Sequence, residues 1–169
     1  MTNPPRQHTA EHRTVVLGRT LNGSLDRIYA AVSEPLERAR IGAAGDGCVL
    51  LLDESDFRVG GRDAFRFGPK GNPRFHGEAI YHQIVPRALV VATEVVHAGD
   101  HCVSVTLTTL ALLRKGEDTD LKLTAQVLAL CDDPDLIDEA GARHQAWIET
   151  LAEHFGAAPE KRRRPFLRR

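Results

Sequence analysis

A succession of short alternating segments between Cys48 and Val127, followed by one amphipathic helix, constrains the fold of this chain most. In the segment Cys102–Leu113, apolar and hydroxyl-bearing residues alternate, which is typical of a strand with one buried face. Groups of Gly, Pro, Asn and Asp separate the segments, as at 68–73 and 115–118. The pattern predicts an antiparallel meander, whose apolar face must be covered by another layer.

Six strand-like segments follow one another in this part of the chain. They are Cys48–Glu54, Gly61–Phe67, Arg74–Val85, Leu89–His97, Cys102–Leu113 and Leu121–Val127. In the fifth segment we expect the alternate residues Val103, Val105 and Leu107 to face the core, with Ser104 and Thr106 facing away.

A further strand and two short helices are predicted before the meander. Residues Arg13–Leu21 are rich in β-branched side chains and favour a strand. Ser24 is a good N-cap for a helix whose apolar residues recur at helical spacing. Pro35 should divide this helical stretch and start a second short helix that reaches Arg40.

The last predicted element is a long C-terminal helix. Asp133 fits the N-cap position, with Pro134 as the first helical residue. We expect the helix to run to His154–Phe155 and to end at Gly156. One stripe at helical spacing should face the sheet, and it comprises Ile137, Ala140, Gly141, His144, Ile148, Leu151 and Phe155. The sequence therefore predicts an α+β fold in which a curved seven-stranded antiparallel sheet packs on this helix.

Length and charge limit the domain organisation. A chain of 169 residues with 42% apolar residues is typical of one domain, which we place at 13–156. Residues 1–12 are predicted to be a flexible arm, and 157–169 a flexible basic tail with six positive side chains. The net charge of -1 excludes a bulk polyanion binder and predicts no specific nucleic-acid partner. The tail is either a solvated terminus or a contact for nucleic acid or anionic lipid.

The compartment is predicted from the cysteines and the apolar runs. Cys48, Cys102 and Cys131 are widely spaced in apolar surroundings, which favours buried thiols in a reducing cytosol over a disulfide framework. The first 13 residues have no apolar stretch typical of a signal peptide. No apolar run approaches the roughly 20 residues that a membrane-spanning helix needs. We therefore expect a cytoplasmic protein without a transmembrane segment.

Several short motifs in this order resemble a known family. They are Phe57–Arg62 (FRVGGR), Phe65–Gly68 (FRFG), Gly77-Glu78, Ile84–Pro86 (IVP) and Thr119–Thr124 (TDLKLT). The chain resembles the START-like (SRPBCC) superfamily and, within it, the group homologous to the activator of the heat-shock-protein ATPase. The likeness covers Val15 to Phe155.

This resemblance implies a helix-grip fold, in which a seven-stranded antiparallel sheet grips the C-terminal helix and two small helices close one end. Relatives bind lipids, sterols, polyketides or other apolar molecules, and some are cyclases or hydrolases. Two departures from relatives are visible. Thr124-Ala125-Gln126 lacks the acid that many relatives carry in the last strand, and no tryptophan follows the first helix.

The aromatic residues supply the candidate ligand site. Phe65, Phe67, Phe75 and Tyr81 occupy strand positions whose side chains are expected to point toward the core. Trp147 lies on the last helix, so these five residues could line a cavity between sheet and helix. The alternative is an ordinary packed core. The candidate ligand-binding residues are Phe65, Phe67, Phe75, Tyr81, Val91, Thr93, Val105, Leu107, Trp147, Ile148 and Leu151. Tyr81, Thr93 and the Trp147 indole could orient a ligand by hydrogen bonds.

No residue is assigned a catalytic or metal-binding role. Glu78, Glu94 and His97 are possible general acids or bases, but the two glutamates occupy strand positions expected to face solvent. His97, His101 and Cys102 flank one turn, where exposed turn residues are a commoner outcome than metal ligands. No nucleotide-binding glycine motif occurs, so no cofactor is expected.

Three function classes follow. The leading one is a domain that binds a small apolar molecule, such as a lipid, sterol or polyketide-like compound. The second is a cyclase- or hydrolase-like enzyme that uses the same pocket, which would require an inward-facing acid–base pair. The third is a chaperone-associated or other protein-interaction module. The sequence leaves open whether the chain is a monomer or a homodimer.

Overall fold

The computed structural model describes residues 10–42, 47–130 and 134–157, without the side chains of 134–141. The elements in chain order are β1 (Glu11–Leu21), α1 (Leu25–Ser33), α2 (Pro35–Gly42), β2 (Cys48–Ser55), β3 (Arg62–Pro69), β4 (Phe75–Val85), β5 (Leu89–Ala98), β6 (His101–Lys115), β7 (Asp118–Ala129) and α3 (Pro134–Phe155). The predicted order of one strand, two short helices, six strands and a long helix is confirmed.

The strands form one curved antiparallel sheet in the order β1-β7-β6-β5-β4-β3-β2. Each strand pairs with its neighbour in sequence, except that β1 joins the far side of the sheet beside β7. The last helix packs against β1 and β7 on the concave side, and α2 contacts both α3 and β2. The predicted α+β helix-grip architecture is therefore confirmed.

The helix ends follow the local sequence signals. The Ser24 hydroxyl accepts a hydrogen bond from the Arg27 backbone N–H at 3.4 Å, as expected for an N-cap. Helix α2 begins at Pro35, which confirms the predicted division. Helix α3 ends before Gly156, whose φ of 75° lies in the left-handed region that glycine tolerates. The predicted N-cap Asp133 lies outside the described residues.

Two apolar clusters fill different ends of the concave face. The larger one joins α1 and the second half of α3 to β5–β7, with Ile28, Ile148 and Leu151 almost fully buried. The smaller one centres on Phe65 and Phe75. The side of α3 at residues 142–147 thus lies over the region between the clusters, where the interior is not packed solid.

A row of polar residues crosses the sheet between these clusters. Asp63, Ala79, Glu94 and Thr106 are direct cross-strand neighbours on β3, β4, β5 and β6. Asp63 and Thr106 are buried, and Glu94 is half-buried. We call these four residues the polar row. Adjacent strands lie about 4.8 Å apart, so the backbones at Asp63 and Glu94 are separated by about 10 Å.

The predicted orientation of β6 is wrong beyond its first residues. A bulge shifts the pairing with β5 between Val96 and His97, and both Val103 and Ser104 are buried. From Ser104 onward the inward residues include Thr106 and Thr108, while Val105 and Leu107 face outward. A shift of one residue moves every following side chain to the other face, so alternation counted from Val103 gives the opposite result.

The first strand starts slightly before residue 13, where the domain was predicted to begin. Strand β1 begins at Glu11, so the last two residues of the predicted arm belong to the sheet. Residues 1–9 and the basic tail from 158 onward lie outside the described residues, and the predictions about them stay predictions. Within the described ranges, none of the helices has the length and apolar character needed to cross a membrane.

Candidate functional site

Two adjoining cavities separate the sheet from the first half of α3. The Tyr81 cavity has a volume of about 210 Å³ and lies above the polar row. It is lined by Val32, Arg38, Gly42, Leu50, Leu52, Phe57, Asp63, Phe65, Phe67, Ala79, Tyr81, Val90, Ala92, Glu94, Thr108, Leu110, Leu123, Arg143, His144 and Trp147. Ala79 and Ala92 lie on its sheet side, where larger side chains would fill the space.

The Phe75 cavity lies toward the other end of the sheet and has a volume of about 340 Å³. Its walls are Gly42, Cys48, Val49, Phe67, Gly68, Pro69, Arg74, Phe75, Val96, Val103, Ser104, Ala142, Arg143 and Ala146. The rings of Phe67 and Phe75 stack at 5.1 Å, and the Arg74 guanidinium lies 5.0 Å from the centre of the Phe75 ring.

Arg143 and Phe67 form the wall between the cavities. Both residues line both spaces, as does Gly42. The Arg143 guanidinium lies 4.9 Å from the centre of the Phe67 ring and forms an ion pair with Glu94. The cation–π contact and the ion pair together hold the arginine across the space. The two cavities therefore adjoin at the side chains of Arg143 and Phe67 and at Gly42.

A second polar group closes the opposite end of the Tyr81 cavity. The Asp63 Oδ2 atom accepts hydrogen bonds from the Tyr81 hydroxyl and from the guanidinium of Arg38 on α2. Burial alone would raise the pKa of Asp63, but these bonds, the Arg38 charge and a smaller contribution from Ser55 lower it overall. Burial also raises the pKa of Tyr81, so Tyr81 is a protonated donor beside an ionised carboxylate.

The loop between β2 and β3 brings an aromatic ring to this end. Gly60 has a φ of 76°, and its N–H donates to the Tyr81 carbonyl at 2.8 Å. A Cβ atom on Gly61 would lie 2.0 Å from the Asp56 carbonyl oxygen, so only glycine fits there. Gly60 and Gly61 lie at the end of a tight turn, in which the Gly61 N–H donates to the Arg58 carbonyl at 2.8 Å. This turn places the Phe57 ring edge-on to the Tyr81 ring at 4.8 Å.

The structure brings together the aromatic part of the predicted site. Phe65, Phe67, Tyr81 and Trp147 line the Tyr81 cavity, while Phe67 and Phe75 line the Phe75 cavity. Ile148 and Leu151 are instead packed in the larger apolar cluster. Whether any of these residues contacts a ligand stays a prediction.

Four predicted residues lie on the wrong face of the sheet. Val91, Thr93, Val105 and Leu107 alternate with the cavity-lining positions of β5 and β6, so they project from the convex side. The Thr93 hydroxyl lies 2.7 Å from an imidazole nitrogen of His82, on the exposed side of the sheet. Apolar residues occur on both faces of these two strands, so alternation alone did not distinguish the faces.

Glu94 was expected to face solvent, and this expectation is wrong. Its carboxylate turns into the Tyr81 cavity because Arg143 on α3 supplies a charged partner there. Glu78 does lie on the exposed face, where it pairs with Arg62 at 2.9 Å. His97 also faces outward and stacks on the His76 ring at 5.3 Å.

His97, His101 and Cys102 flank the turn between β5 and β6 as predicted, and His101 is exposed. His76 on β4 is the cross-strand neighbour of His97 on β5. His82 lies at the bulge of β4 and contacts the Thr93 hydroxyl. Cys48 and Cys102 are free and half-buried, less enclosed than expected, and Cys131 lies outside the described residues. Among the described residues, no group of three or more His, Cys, Asp or Glu side chains is arranged to hold a metal ion.

Sequence reasoning missed the polar residues of the site. The sequence analysis assigned no role to the five residues Arg38, Asp63, Ala79, Ala92 and Arg143. A signal was present in the cross-strand register, because Asp63, Ala79 and Glu94 fall in one row once β3, β4 and β5 are paired. The positions of both arginines depend on how α2 and α3 dock, which no local pattern reveals.

Comparison with known proteins identifies the family. Residues 22–157 match the family model described as activator of Hsp90 ATPase homolog 1-like protein. The chain belongs to this family. Like other START-like proteins, members of the activator of Hsp90 ATPase homolog 1-like family share a fold that commonly serves ligand binding or polyketide cyclase-like activity. Among curated proteins, none matches this sequence significantly.

Solved structures of similar proteins share the fold of this chain. The Mll3558 protein from Rhizobium loti is 31% identical, with a TM-score of 0.71 over 86% of this chain and 99% of that one. An uncharacterised protein from Rhizobium leguminosarum is 24% identical, with a TM-score of 0.74 over 88% and 97% of the two chains. DynU16, from the dynemicin biosynthetic locus, shares the fold at 14% identity and a TM-score of 0.57, over 83% of this chain and 46% of that one.

Proposed function

We propose that this member of the activator of Hsp90 ATPase homolog 1-like family binds a small apolar molecule between the sheet and α3. The proposed ligand is a lipid, a sterol or a polyketide-like compound. The observation that carries the proposal is the pair of adjoining cavities with aromatic linings, which meet at Arg143 and Phe67. Burial of apolar ligand surface would drive binding.

The size of the site supports a small ligand. Ligand pockets commonly span about 300–1,000 Å³. The Tyr81 cavity at about 210 Å³ falls below this range, and the Phe75 cavity at about 340 Å³ lies at its lower end. A ligand that occupies both spaces must displace the Arg143 side chain, whereas a smaller ligand fits one of them.

Trp147 offers a direct measurement, since it is the single tryptophan of the chain and lines the Tyr81 cavity. Its fluorescence is titrated with fatty acids, sterols and aromatic polyketides. We expect a saturable change with at least one class. Ala92→Leu, which fills the cavity floor, should weaken binding about tenfold or more. Thr93→Val, on the neighbouring but outward-facing position, should leave it unchanged.

Two results would contradict the proposed function. The first is the absence of a saturable change with every class of compound, confirmed by calorimetry. The second is equal binding by the wild-type chain and Ala92→Leu, provided that circular dichroism shows the variant to be folded. Equal binding would place the ligand outside the Tyr81 cavity.

One observation favours an enzyme as the second candidate. A cyclase- or hydrolase-like activity requires an acid–base pair inside the pocket, and both Glu94 and His144 line the Tyr81 cavity. The test is hydrolysis of a series of p-nitrophenyl esters. Glu94→Gln should lower the rate at least tenfold, and the outward-facing control Glu78→Gln should not. Equal rates in all three proteins would remove this candidate.

The free thiols support a cytoplasmic location. Cys48 and Cys102 lie on β2 and β6 without a disulfide, which is the usual state of cysteines in a reducing compartment. Fractionation of cells that produce the full chain tests this location.

A further inference from the structure

Asp63 on β3 is the most deeply enclosed charged residue of the cavity walls. Its side chain is 1% exposed, and Arg38 and Tyr81 both donate to a single oxygen, Oδ2. The other oxygen, Oδ1, is buried and has no hydrogen-bond partner among the described residues. Burial of a charged acceptor without a hydrogen-bond partner costs free energy, and such groups are rare in native proteins.

The position of Asp63 connects this unused acceptor with the cavity. Asp63 is one of the residues that line the Tyr81 cavity. Its neighbour in the polar row is Ala79, whose single methyl group leaves the adjoining floor open. A ligand atom in the cavity beside Ala79 is therefore close to the Asp63 carboxylate.

The surrounding charges decide which donor fits. Arg38 already balances the charge of Asp63, and Arg143 balances that of Glu94. Because the charges cancel within each pair, the cavity has no net negative charge that would attract a cationic ligand, and its two guanidinium groups would repel one. A hydroxyl group brings a proton donor without an added charge, and an ionised carboxylate can only accept.

We propose that the Tyr81 cavity selects an apolar molecule that carries a hydroxyl group, and that this hydroxyl donates its hydrogen bond to Asp63 Oδ1. The inference rests on the proposed function and specifies the ligand: a phenol or alcohol with an apolar body. The body occupies the space between Ala79, Ala92 and Trp147. An analogue without the hydroxyl leaves Oδ1 unpaired, so it binds more weakly.

Matched probes test this selectivity by isothermal titration calorimetry. 4-Butylphenol and 4-butyltoluene have nearly the same shape, but only the phenol donates a hydrogen bond. We expect the wild-type chain to bind the phenol about tenfold to a hundredfold more tightly, the range of a hydrogen bond to a charged group. 4-Butylanisole, which can accept but not donate, should bind like the toluene.

Variants assign the selectivity to one carboxylate. In Asp63→Asn, Arg38 and Tyr81 hold the amide oxygen, so an N–H group replaces the acceptor and the preference for the phenol should disappear. The double substitution Arg38→Met and Asp63→Leu removes the charge pair together, which avoids an unpaired charge if the single variant fails to fold. Asp53→Asn is the matched control, because Asp53 forms an exposed ion pair with Arg66 and lines neither cavity, and it should keep the preference.

The outcomes separate this inference from the proposed function. Equal affinity for all three probes leaves ligand binding standing and overturns the hydroxyl selectivity. A preference that survives Asp63→Asn but is lost in Glu94→Gln also overturns it, because Glu94 would be the acceptor. If neither these probes nor the larger apolar compounds bind, the proposed function and this inference both fail.

Discussion

Glu94 on β5 and Arg143 on α3 form an ion pair inside the space between sheet and helix. The Glu94 side chain is 19% exposed and the Arg143 side chain 23% exposed, so the pair is intermediate between a surface and a buried salt bridge. The Arg143 guanidinium also stacks on Phe67, and both side chains lie where the two cavities adjoin. This contact therefore has consequences both for stability and for the size of ligand that the site accepts.

The Glu94–Arg143 pair should show measurable coupling. We expect Glu94→Leu and Arg143→Leu each to lower the free energy of unfolding by about 1–3 kcal/mol, because each leaves a partly buried charge unpaired. The double variant should recover at least about 1 kcal/mol of the summed loss in urea denaturation. The exposed pair Arg87–Asp26 is the control, with an expected coupling below about 0.5 kcal/mol. Equal coupling in the two pairs would contradict the interior placement.

Removal of the dividing side chain should lengthen the site. In the double variant Arg143→Ala with Glu94→Gln, the two cavities join without an unpaired glutamate. Along a series of 1-alkanols, each added methylene that is buried contributes about 0.8 kcal/mol, and affinity stops increasing once the chain outgrows the cavity. We expect affinity to stop increasing at a longer alkanol in the double variant than in the wild-type protein. The control Arg66→Ala, on the outer face of the sheet, should behave like the wild-type protein. The same limit in all three proteins would show that Arg143 does not divide the site.

The lowered pKa of Asp63 predicts an acid-dependent loss of stability. The folded-state pKa lies below the ordinary value of 3.8, so the unfolded chain binds protons first as the pH falls. The stabilisation by Asp63 is complete above pH 3.8 and is lost as the pH decreases toward the folded-state pKa. Asp63→Asn should flatten this part of the pH profile of the free energy of unfolding. An unchanged slope in Asp63→Asn would contradict the assignment.

Gly77 on β4 should not tolerate a side chain. A Cβ atom there would lie 2.5 Å from the Val95 carbonyl oxygen and 2.8 Å from the Phe65 ring. We expect Gly77→Ala to lower the free energy of unfolding by about 1–3 kcal/mol in urea denaturation, because the backbone or the ring must move. Gly18→Ala on β1 is the control, since its Cβ would meet one atom at 3.8 Å. Equal stability of the two variants would show that the Phe65 ring does not lie against Gly77.

Local sequence signals predicted the elements well and the faces of two strands poorly. Ser24, Pro35 and Gly156 set helix ends because capping and proline geometry act within one turn of the chain. The outward-facing Val105 and Leu107 were assigned to the interior because the bulge at Val103 reverses the alternation. Nothing adjacent in sequence to Glu94 marks its carboxylate as inward-facing, because its partner Arg143 lies on a helix 49 residues later.

The amino-acid sequence by itself determined the order of the strands and helices, the meander and the family resemblance. These depend on periodicity, turns and caps, which are interactions between near neighbours in the chain. Only the tertiary structure decided which charges enter the interior and where space remains. Arg38 and Arg143 reach Asp63 and Glu94 only after both helices dock on the sheet, and a carboxylate is stable inside a protein only when such a partner is present.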